Sequence, residues 1–448
     1  MVFNSIEFLL GFLPLFLLLY YLTPGAYRNI TLLIGSILFY AYGEPVYVFL
    51  LLGSAILNYA VGNLLDIEKK ISSKKRQAIF IFMVSIDVSV LGFFKWAPDN
   101  IILPLGISFY TFQMIAYLTD VYRGEIRAEH SLLKIGCYIS MFPQLVAGPI
   151  VNYNEISEDL KNRKYSLAAV DGGLKSFVTG LSLKILLADQ LSILWHDIQI
   201  IGFESISTPL AWLGAVSFSL QIYFDFYGYS LMAVGLGRML GFQLPQNFDL
   251  PYMAKSVRDF YRRWHISLGR WFKKYVYIPM GGNRKGIVHT IFNLFIVWVL
   301  TSFWHGGSIN FLLWGLSLWF LITVEQLLDR KNRMSKLKVI PHIYVCFFIP
   351  LTWICFAITD LEQLKLYFGR LFGVISGINV NTQDIFRYLG DYGGLLIVGI
   401  LLCTPILKKL LDRLQDTFPG MLILALLFWR CIWHIMNEGN NPFMYLRF

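Results

Sequence analysis

Long apolar stretches follow one another along almost the whole chain, and they constrain its fold more than any other feature. A helix needs roughly 20 apolar residues to cross a bilayer. The stretches that approach or reach this length are residues 8–22, 30–42, 46–65, 79–94, 103–122, 132–146, 172–191, 212–229, 288–303, 309–328, 340–357, 395–411 and 421–436. Only 15% of the 448 residues are charged, whereas soluble domains reach about 25%. We therefore predict an all-α polytopic membrane protein.

Several of these stretches are too short to span a bilayer alone. Strict alternation across the membrane would also place the basic residues 161–164 outside, against the preference of basic loops for the cytoplasm. We therefore expect some re-entrant segments, which are tolerated only where protein or a water-filled cavity surrounds them. Residues 377–392 form the longest polar connection near the C-terminus and are expected to be a loop. Residues 1–448 are interpreted as one transmembrane domain.

The net charge of +10 comes from short basic clusters between the apolar stretches, which is typical of cytoplasmic loops and not of nucleic-acid binding. The clearest clusters are Lys69, Lys70, Lys74, Lys75 and Arg76, and Arg330, Lys331, Arg333, Lys336 and Lys338. The five cysteines form no C-x-x-C pair, and no His-Glu-x-x-His motif occurs. Neither a metal site nor a bound cofactor is therefore expected.

Ionisable residues also fall inside the predicted spans: Asp87, Lys184, Asp225, Arg238 and Glu325. A charge inside a bilayer is costly unless it pairs, reaches the interface or serves the function. For each of the five, a position at a helix end or a packed ion pair is an alternative to a functional role. Asp225 stands out because residues 221–229 are polar and aromatic, a composition that would suit the wall of a cavity.

Two histidines are the candidate catalytic residues. His305 follows the apolar residues 291–300, and His265 lies beside a dense patch of arginine. Imidazole titrates near neutral pH, so it can take a proton from a hydroxyl and later return it. The Gly306-Gly307 pair would let backbone amides approach a ligand and stabilise an oxyanion. Packing within the bundle is the alternative for both histidines. The sequence contains no Gly-x-Ser-x-Gly motif, which would indicate a serine nucleophile. We therefore consider direct transfer of an acyl group from its donor to an acceptor hydroxyl.

The segment 250–286 is amphipathic and differs from the apolar stretches around it. Over residues 259–278, aromatic and leucine side chains share one helical face, and a mostly basic stripe lies beside it. The first face comprises Phe260, Trp264, Leu268, Trp271 and Tyr275, and the second Asp259, Arg263, Ser267, Arg270 and Lys274. We predict one helix in the membrane interface, with His265 turned away from the basic stripe toward protein or a pore. Residues 281–284 are expected to form a tight, solvated turn with a basic tip, and phosphate binding by its backbone amides and Arg284 is the alternative.

Several segments together resemble the membrane-bound O-acyltransferase family. They are residues 263–268 (Arg-Trp-His-Ile-Ser-Leu), 277–284, 303–306 (Phe-Trp-His-Gly), 142–150, 224–230, 247–248 and 441–448. The resemblance extends over nearly the whole chain. It is closest to the branch that O-acetylates bacterial alginate, and the branch that transfers D-alanine to teichoic acid is the next relative.

The resemblance implies a ring of about eleven transmembrane helices, with re-entrant and interfacial helices, around a central acyl-transfer channel. It implies that His305 is the general base and that His265 lines or supports the path of the acyl donor. It also implies acetyl-CoA as a cytoplasmic substrate and not as a bound cofactor. A polysaccharide would be the final acceptor, and an extracytoplasmic acetyltransferase-like partner protein would place the acetyl group on it.

The expected function is therefore O-acyl transfer, in particular of acetyl groups, by a multi-pass protein of the cell membrane. D-alanyl transfer for teichoic acid modification is the alternative within the family. A proton-coupled transporter is the alternative from another class. Transporters often contain matched halves with broken helices, and the sequence shows no such repeat.

Overall fold

The computed structural model describes residues 1–66, 72–98, 101–146, 148–328, 337–375, 380–439, 441, 443 and 444. Within these ranges every regular element is a helix, and no strand occurs. Eight helical segments there are long and apolar enough to cross a membrane: Tyr47–Leu65, Ser73–Lys95, Leu167–Ile201, Ile287–His305, Ile309–Leu328, Ile340–Ala357, Asp384–Leu402 and Phe418–Glu438. The all-α, polytopic fold is thus confirmed, whereas the count of about eleven spans is not. The predicted basic residues Lys69, Lys70, Arg330, Lys331, Arg333 and Lys336 lie outside the described residues.

The N-terminal half alternates between long and short helices. They are α1 (Leu13–Leu22), α2 (Arg28–Gly43), α3 (Tyr47–Leu65), α4 (Ser73–Lys95), α5 (Ile107–Arg123), α6 (Leu132–Ser140), α7 (Phe142–Leu145), α8 (Tyr153–Lys161), α9 (Leu167–Ser182), α10 (Asp189–Ile201) and α11 (Thr208–Met239). A π-helical turn, Glu7–Phe12, leads into α1. A second one, Leu183–Ala188, joins α9 to α10 without a break, so that Leu167–Ile201 forms one helix of 35 residues.

The C-terminal half begins with two short helices and continues with longer ones. They are α12 (Val257–Arg263), α13 (Ile266–Phe272), α14 (Ile287–His305), α15 (Ile309–Leu328), α16 (Ile340–Ala357), α17 (Leu361–Leu371), α18 (Asp384–Leu402), α19 (Pro405–Leu414) and α20 (Phe418–Glu438). A π-helical turn, Lys273–Tyr277, extends α13. The predicted turn at residues 281–284 is confirmed, with Gly281 at φ 101° and Gly282 at φ 58°.

The largely buried 32-residue helix α11 crosses α9 at close range. Glycines occupy the contact on both helices: Gly173 and Gly180 on α9, and Gly228 and Gly235 on α11. A Cβ atom at Gly180 would lie 2.4 Å from the carbonyl oxygen of Gly228, and one at Gly235 would lie 2.5 Å from that of Gly173. Small residues let two membrane helices bring their backbones together, and the close contact supplies dispersion energy that lipid would otherwise provide.

A buried ion-pair cluster bridges the same two helical layers. Lys184 Nζ lies 2.8 Å from Asp225 Oδ1 and 2.5 Å from Asp189 Oδ1, and its side chain is 1% exposed. The Asp225 carboxylate also accepts a hydrogen bond from the backbone amide of Met444 (2.9 Å). Asp225 is therefore a member of a packed ion pair and does not form the wall of a polar cavity, because both of its oxygens are engaged by protein.

Two predicted boundaries are wrong, and proline explains both. The stretch 132–146 is broken at Met141 into α6 and α7, since Pro143 cannot continue the hydrogen-bond pattern of the preceding helix. The stretch 395–411 is likewise divided, because α18 ends at Leu402 and Pro405 starts α19.

The predicted loop 377–392 is also wrong over most of its length, since α18 already begins at Asp384. The Asp384 carboxylate accepts hydrogen bonds from the backbone amide (2.9 Å) and the hydroxyl (2.5 Å) of Ser207. An acidic residue at the first helical position is favourable because it faces the positive end of the helix dipole. Residues 376–379 lie outside the described residues.

Candidate active site

The prediction of one continuous helix over residues 259–278 is wrong, because the structure breaks it at Trp264 and His265. Helix α12 ends at Arg263, and α13 begins at Ile266. Between them His265 adopts a left-handed backbone conformation, with φ 44° and ψ 54°. For a residue other than glycine this conformation costs about 1–3 kcal/mol, so the surrounding structure must hold it in place. The apolar periodicity continues across the break and therefore conceals it.

Asn247 holds the backbone on the far side of His265. Its carbonyl oxygen accepts the Ile266 amide (3.0 Å), and its Oδ1 accepts the hydroxyl (2.6 Å) and the amide (3.2 Å) of Ser267. The Ser267 hydroxyl oxygen in turn accepts the Ile150 amide (3.0 Å). Segments that are distant in the sequence thus converge on one strained residue, and all of them carry the family resemblance.

The imidazole of His265 is enclosed by aromatic rings. The ring of Phe226 lies perpendicular to it at a centroid distance of 4.7 Å, and the Trp304 ring lies at 6.1 Å. Only 3% of His265 is exposed. Burial lowers the pKa of the His265 imidazole to about 3, so the ring is neutral at physiological pH.

The basic stripe of the amphipathic segment is neutralised by carboxylates of the protein. The ion pairs are Arg263–Asp259 (3.2 Å), Arg270–Glu155 (2.8 Å) and Lys274–Asp120 (2.9 Å). On the neighbouring face Phe260, Trp264, Leu268 and Trp271 are buried. Both faces of the segment therefore pack against protein, while the position of residues 250–286 in the membrane interface stays a prediction.

His305 is the last residue of α14, and its ring is surrounded by other rings. The Trp314 and Phe356 rings are nearly perpendicular to it, at 4.9 Å and 5.1 Å, and the Trp304 ring lies at 4.6 Å. The residue is 3% exposed. Rigid aromatic walls on several sides fix the orientation of the imidazole and keep bulk water away from it.

The expectation that Gly306 and Gly307 form an oxyanion site is not supported by their surroundings. The Gly306 amide donates to the Ser302 carbonyl oxygen (3.2 Å). A Cβ at Gly306 would lie 2.6 Å from the Phe311 ring, and one at Gly307 would lie 2.6 Å from the Trp96 ring. Glycine is needed here because aromatic side chains pack directly on the backbone, which leaves no space for a ligand against the α-carbons.

His265 and His305 line the same cavity, which has a volume of about 380 Å³ and is called here the histidine cavity. Its walls come from α12, α13, α14 and α15 and are mostly apolar and aromatic, with Tyr261, Trp298 and Trp314 among them. Such composition and size are typical of sites for small molecules and cofactor-like substrates. The structure thus brings together the two histidines predicted from the sequence.

Three cations also line the histidine cavity: Arg258, Arg262 and Lys273, called here the cationic mouth. All three are exposed, whereas the imidazoles are buried, so the cavity runs from a basic entrance to a neutral interior. Among the residues that the structure describes, none of the three charged groups lies within 4 Å of a carboxylate, unlike that of Arg263, which is paired with Asp259. The Arg258 backbone amide donates to Glu325 Oε2 (3.2 Å).

Sequence reasoning missed the cationic mouth. It assigned the basic character of the segment to the stripe that begins at Arg263, although Arg262 is the adjacent residue. Arg258 and Arg262 are four residues apart and share the face of α12 that lines the cavity, and no local signal shows which face of this helix does so. Lys95 was missed as well: its Nζ lies 5.8 Å from the centre of the Trp304 ring, next to His305. In the described part of the chain, no group of three or more metal-ligating side chains occurs.

Comparison with known proteins identifies the family of this chain. A model of the membrane-bound O-acyltransferase family matches residues 124–361, which include both histidines. The chain is 34% identical to the alginate O-acetylase AlgI of Pseudomonas putida, over 83% of this chain and 80% of that protein. It is 33% identical to the peptidoglycan O-acetyltransferase of Helicobacter pylori, with the same coverage. The teichoic acid D-alanyltransferase of Bacillus subtilis is more distant, at 25% identity over 59% of this chain and 72% of that protein.

The chain therefore belongs to the membrane-bound O-acyltransferase family. It is a multi-pass membrane protein and an O-acyltransferase, as the sequence resemblance implies. The more distant match to the D-alanyltransferases does not favour the alternative of D-alanyl transfer.

Proposed function

We propose that this chain takes an acetyl group from a cytoplasmic thioester and passes it on for the O-acetylation of a polysaccharide outside the membrane. The observation that carries the proposal is one cavity with two buried imidazoles and a cationic mouth. Acetyl is favoured over D-alanyl because relatives with 33–34% identity are named for O-acetylation. A bacterial inner membrane is the proposed location, since these relatives are bacterial.

His305 is proposed as the general base. The acceptor oxygen attacks the thioester carbonyl carbon while the imidazole takes the hydroxyl proton. The carbon–sulfur bond then breaks, and the imidazolium returns the proton to the leaving sulfur, so that an ester and a thiol are the products. The rings of Trp304, Trp314 and Phe356 would exclude water, which would otherwise hydrolyse the thioester.

His265 is proposed to line the donor path and to position the thioester beside His305. Its neutral ring can donate or accept a hydrogen bond without introducing a charge into the apolar cavity. The strained backbone supports this role, because strain of this kind persists where a site requires a fixed side-chain direction.

The donor is proposed to be acetyl-CoA, with its phosphates at the cationic mouth. Arginine binds phosphate oxygens with two parallel hydrogen bonds, and lysine adds a point charge. Because the charged groups of Arg262 and Lys273 lie within 4 Å of no carboxylate among the described residues, their charge is available to a polyanion. Arg258 adds a third positive charge, which also interacts with Glu325. A basic mouth at the cytoplasmic side also agrees with the preference of basic residues for that side.

The mouth is tested by reversing one of its charges. Arg262→Glu is expected to raise the KM for acetyl-CoA at least tenfold, since the loss of about 1.4 kcal/mol in binding gives that factor. Arg284→Glu is the matched control, because Arg284 is exposed and does not line the cavity. Equal KM values for the two variants would contradict the assignment of the phosphates to the mouth.

The acceptor side includes a polysaccharide and an extracytoplasmic acetyltransferase-like partner protein, which the family resemblance supports. The cellular test is His305→Ala, which is expected to abolish ester groups on the polysaccharide while the protein stays in the membrane. His289→Ala is the control, since His289 lies at the other end of α14 and bonds the Met280 carbonyl oxygen (2.8 Å). Normal ester content in the His305 variant would refute the proposed role.

A further inference from the structure

A second cavity, of about 350 Å³, lies apart from the histidine cavity and shares no lining residue with it. It is enclosed by α9 with its π-helical turn, α11, α18, α19 and α20. Its wall is largely leucine and isoleucine, including Leu183, Leu187, Leu402, Ile423 and Leu424. The acyl-transfer mechanism uses none of these residues, so the cavity requires a separate explanation.

Two opposite charges also line this second cavity. Lys408 and Asp412 are four residues apart on α19 and therefore lie on the same face of that helix. Such a spacing favours an ion pair, yet neither residue lies within 4 Å of an oppositely charged group among the described residues. Each charge is therefore available to a bound molecule.

The position of α19 indicates where these charges lie in the membrane. It is a ten-residue helix between two candidate spans, α18 and α20. One side carries Ile406, Leu410 and Leu414, and the other carries charged side chains. A short amphipathic helix that connects two spans lies at the level of the lipid headgroups. The apolar interior of the cavity then extends toward the acyl-chain region.

We propose that the second cavity binds one zwitterionic phospholipid, with an acyl chain against the leucine wall, the phosphate at Lys408 and the ammonium at Asp412. The size of the cavity falls within the usual range for small-molecule sites, about 300–1,000 Å³. An anionic lipid would satisfy Lys408 but would leave Asp412 facing negative charge. The bound lipid connects α20 to α9 and α11, so it stabilises the C-terminal helices against the rest of the bundle.

The first test compares headgroups on the purified, delipidated protein. Phosphatidylethanolamine added in mixed micelles at about 100 times its Kd is expected to raise Tm by about 3 °C, because a ligand that binds only the folded state stabilises it. Phosphatidylglycerol with the same acyl chains is expected to raise it by clearly less. Equal shifts with the two lipids, or no shift with either, would overturn the proposal.

Variants locate the effect in this cavity. Leu424→Trp fills the cavity and is expected to remove the phosphatidylethanolamine shift, whereas Leu426→Trp, on the same helix but 63% exposed, is expected to retain it. Lys408→Glu is expected to abolish the preference for phosphatidylethanolamine, and its control is Lys409→Glu, which is exposed and does not line the cavity.

If Leu424→Trp does not fold, the proposal is tested by comparing the lipid preference of Lys408→Glu with that of Lys409→Glu. Loss of the preference in Lys408→Glu alone supports the site. The same preference in Lys408→Glu and Lys409→Glu overturns it. Acyl transfer is measured in parallel as an independent readout, because the histidine cavity shares no residue with this one.

Discussion

Replacing Lys184 with methionine tests whether the buried cluster between α9, α10 and α11 is held by charge balance. Among the residues that the structure describes, Lys184 is the one cation in contact with both Asp189 and Asp225, whose side chains are 14% and 4% exposed. Lys184→Met would leave two buried carboxylates facing each other without a cation. Removing one partner of a buried pair costs about 3–5 kcal/mol, because the remaining charge has lost both water and its partner.

Replacing Asp225 with asparagine is expected to destabilise the protein less than Lys184→Met does. Asp225→Asn keeps the shape of the side chain and leaves Lys184 paired with Asp189, so the cluster is neutral. The double variant Lys184→Met/Asp225→Asn retains a single carboxylate, the most exposed of the three groups. It is therefore expected to be more stable than Lys184→Met alone, although it carries one substitution more.

The assay is thermal unfolding of purified protein in detergent, followed by tryptophan fluorescence. Lys184→Met is expected to lower Tm by about 3–5 °C, since each kcal/mol corresponds to about 1 °C in a chain of 448 residues. Asp225→Asn should lower it much less, and the double variant should recover part of the loss. If the double variant were no more stable than Lys184→Met, the charge-balance reasoning would be refuted.

Three further predictions concern packing and backbone geometry. Gly180→Val is expected to prevent the close contact with Gly228 and to cost about 3 kcal/mol by overpacking. Gly390→Val lies in a helix with open space around it and should leave stability unchanged or slightly raised, because valine has a higher helix propensity than glycine; thermal unfolding of both variants separates the two cases. Asn247→Ala is expected to lower the acyl-transfer rate about 10–100-fold through misplacement of His265, with normal yield of folded protein on size-exclusion chromatography. His265→Gly is expected to be about 1 kcal/mol more stable than His265→Ala, because glycine adopts φ 44° without strain, while both lose activity.

The membrane class of the fold and the two candidate histidines could be predicted from the sequence. Apolar length gave the membrane class, because the bilayer sets the length of a span independently of tertiary structure. His305 and His265 were accessible for a related reason, since titratable side chains in apolar sequence are costly and therefore informative. The structure places both in one cavity, as expected.

The remaining features depend on tertiary contacts that the local sequence does not encode. The break at His265 is held by hydrogen bonds that the Ser267 amide and hydroxyl donate to Asn247 Oδ1, so the periodicity of residues 259–278 could not reveal it. The packing of α12 likewise decides which of its faces lines the cavity, with Arg262 on that face and Arg263 paired with Asp259 on another. The second cavity lies between two parts of the chain that are far apart in the sequence, α9 with α11 and α18 with α19 and α20, and no motif marks it.

His305 is proposed to act as the base on a donor held in the histidine cavity. The variant His305→Gln, measured as purified protein, tests this role. The affinity for acetyl-CoA and the rate of thiol release with an acceptor hydroxyl are measured on the same preparation. If His305 is the base, the variant binds the donor nearly as well as the unmodified protein does. Its transfer rate is expected to be lower by about 10²–10⁴-fold, the usual contribution of a general base. A transfer rate close to that of the unmodified protein would contradict it.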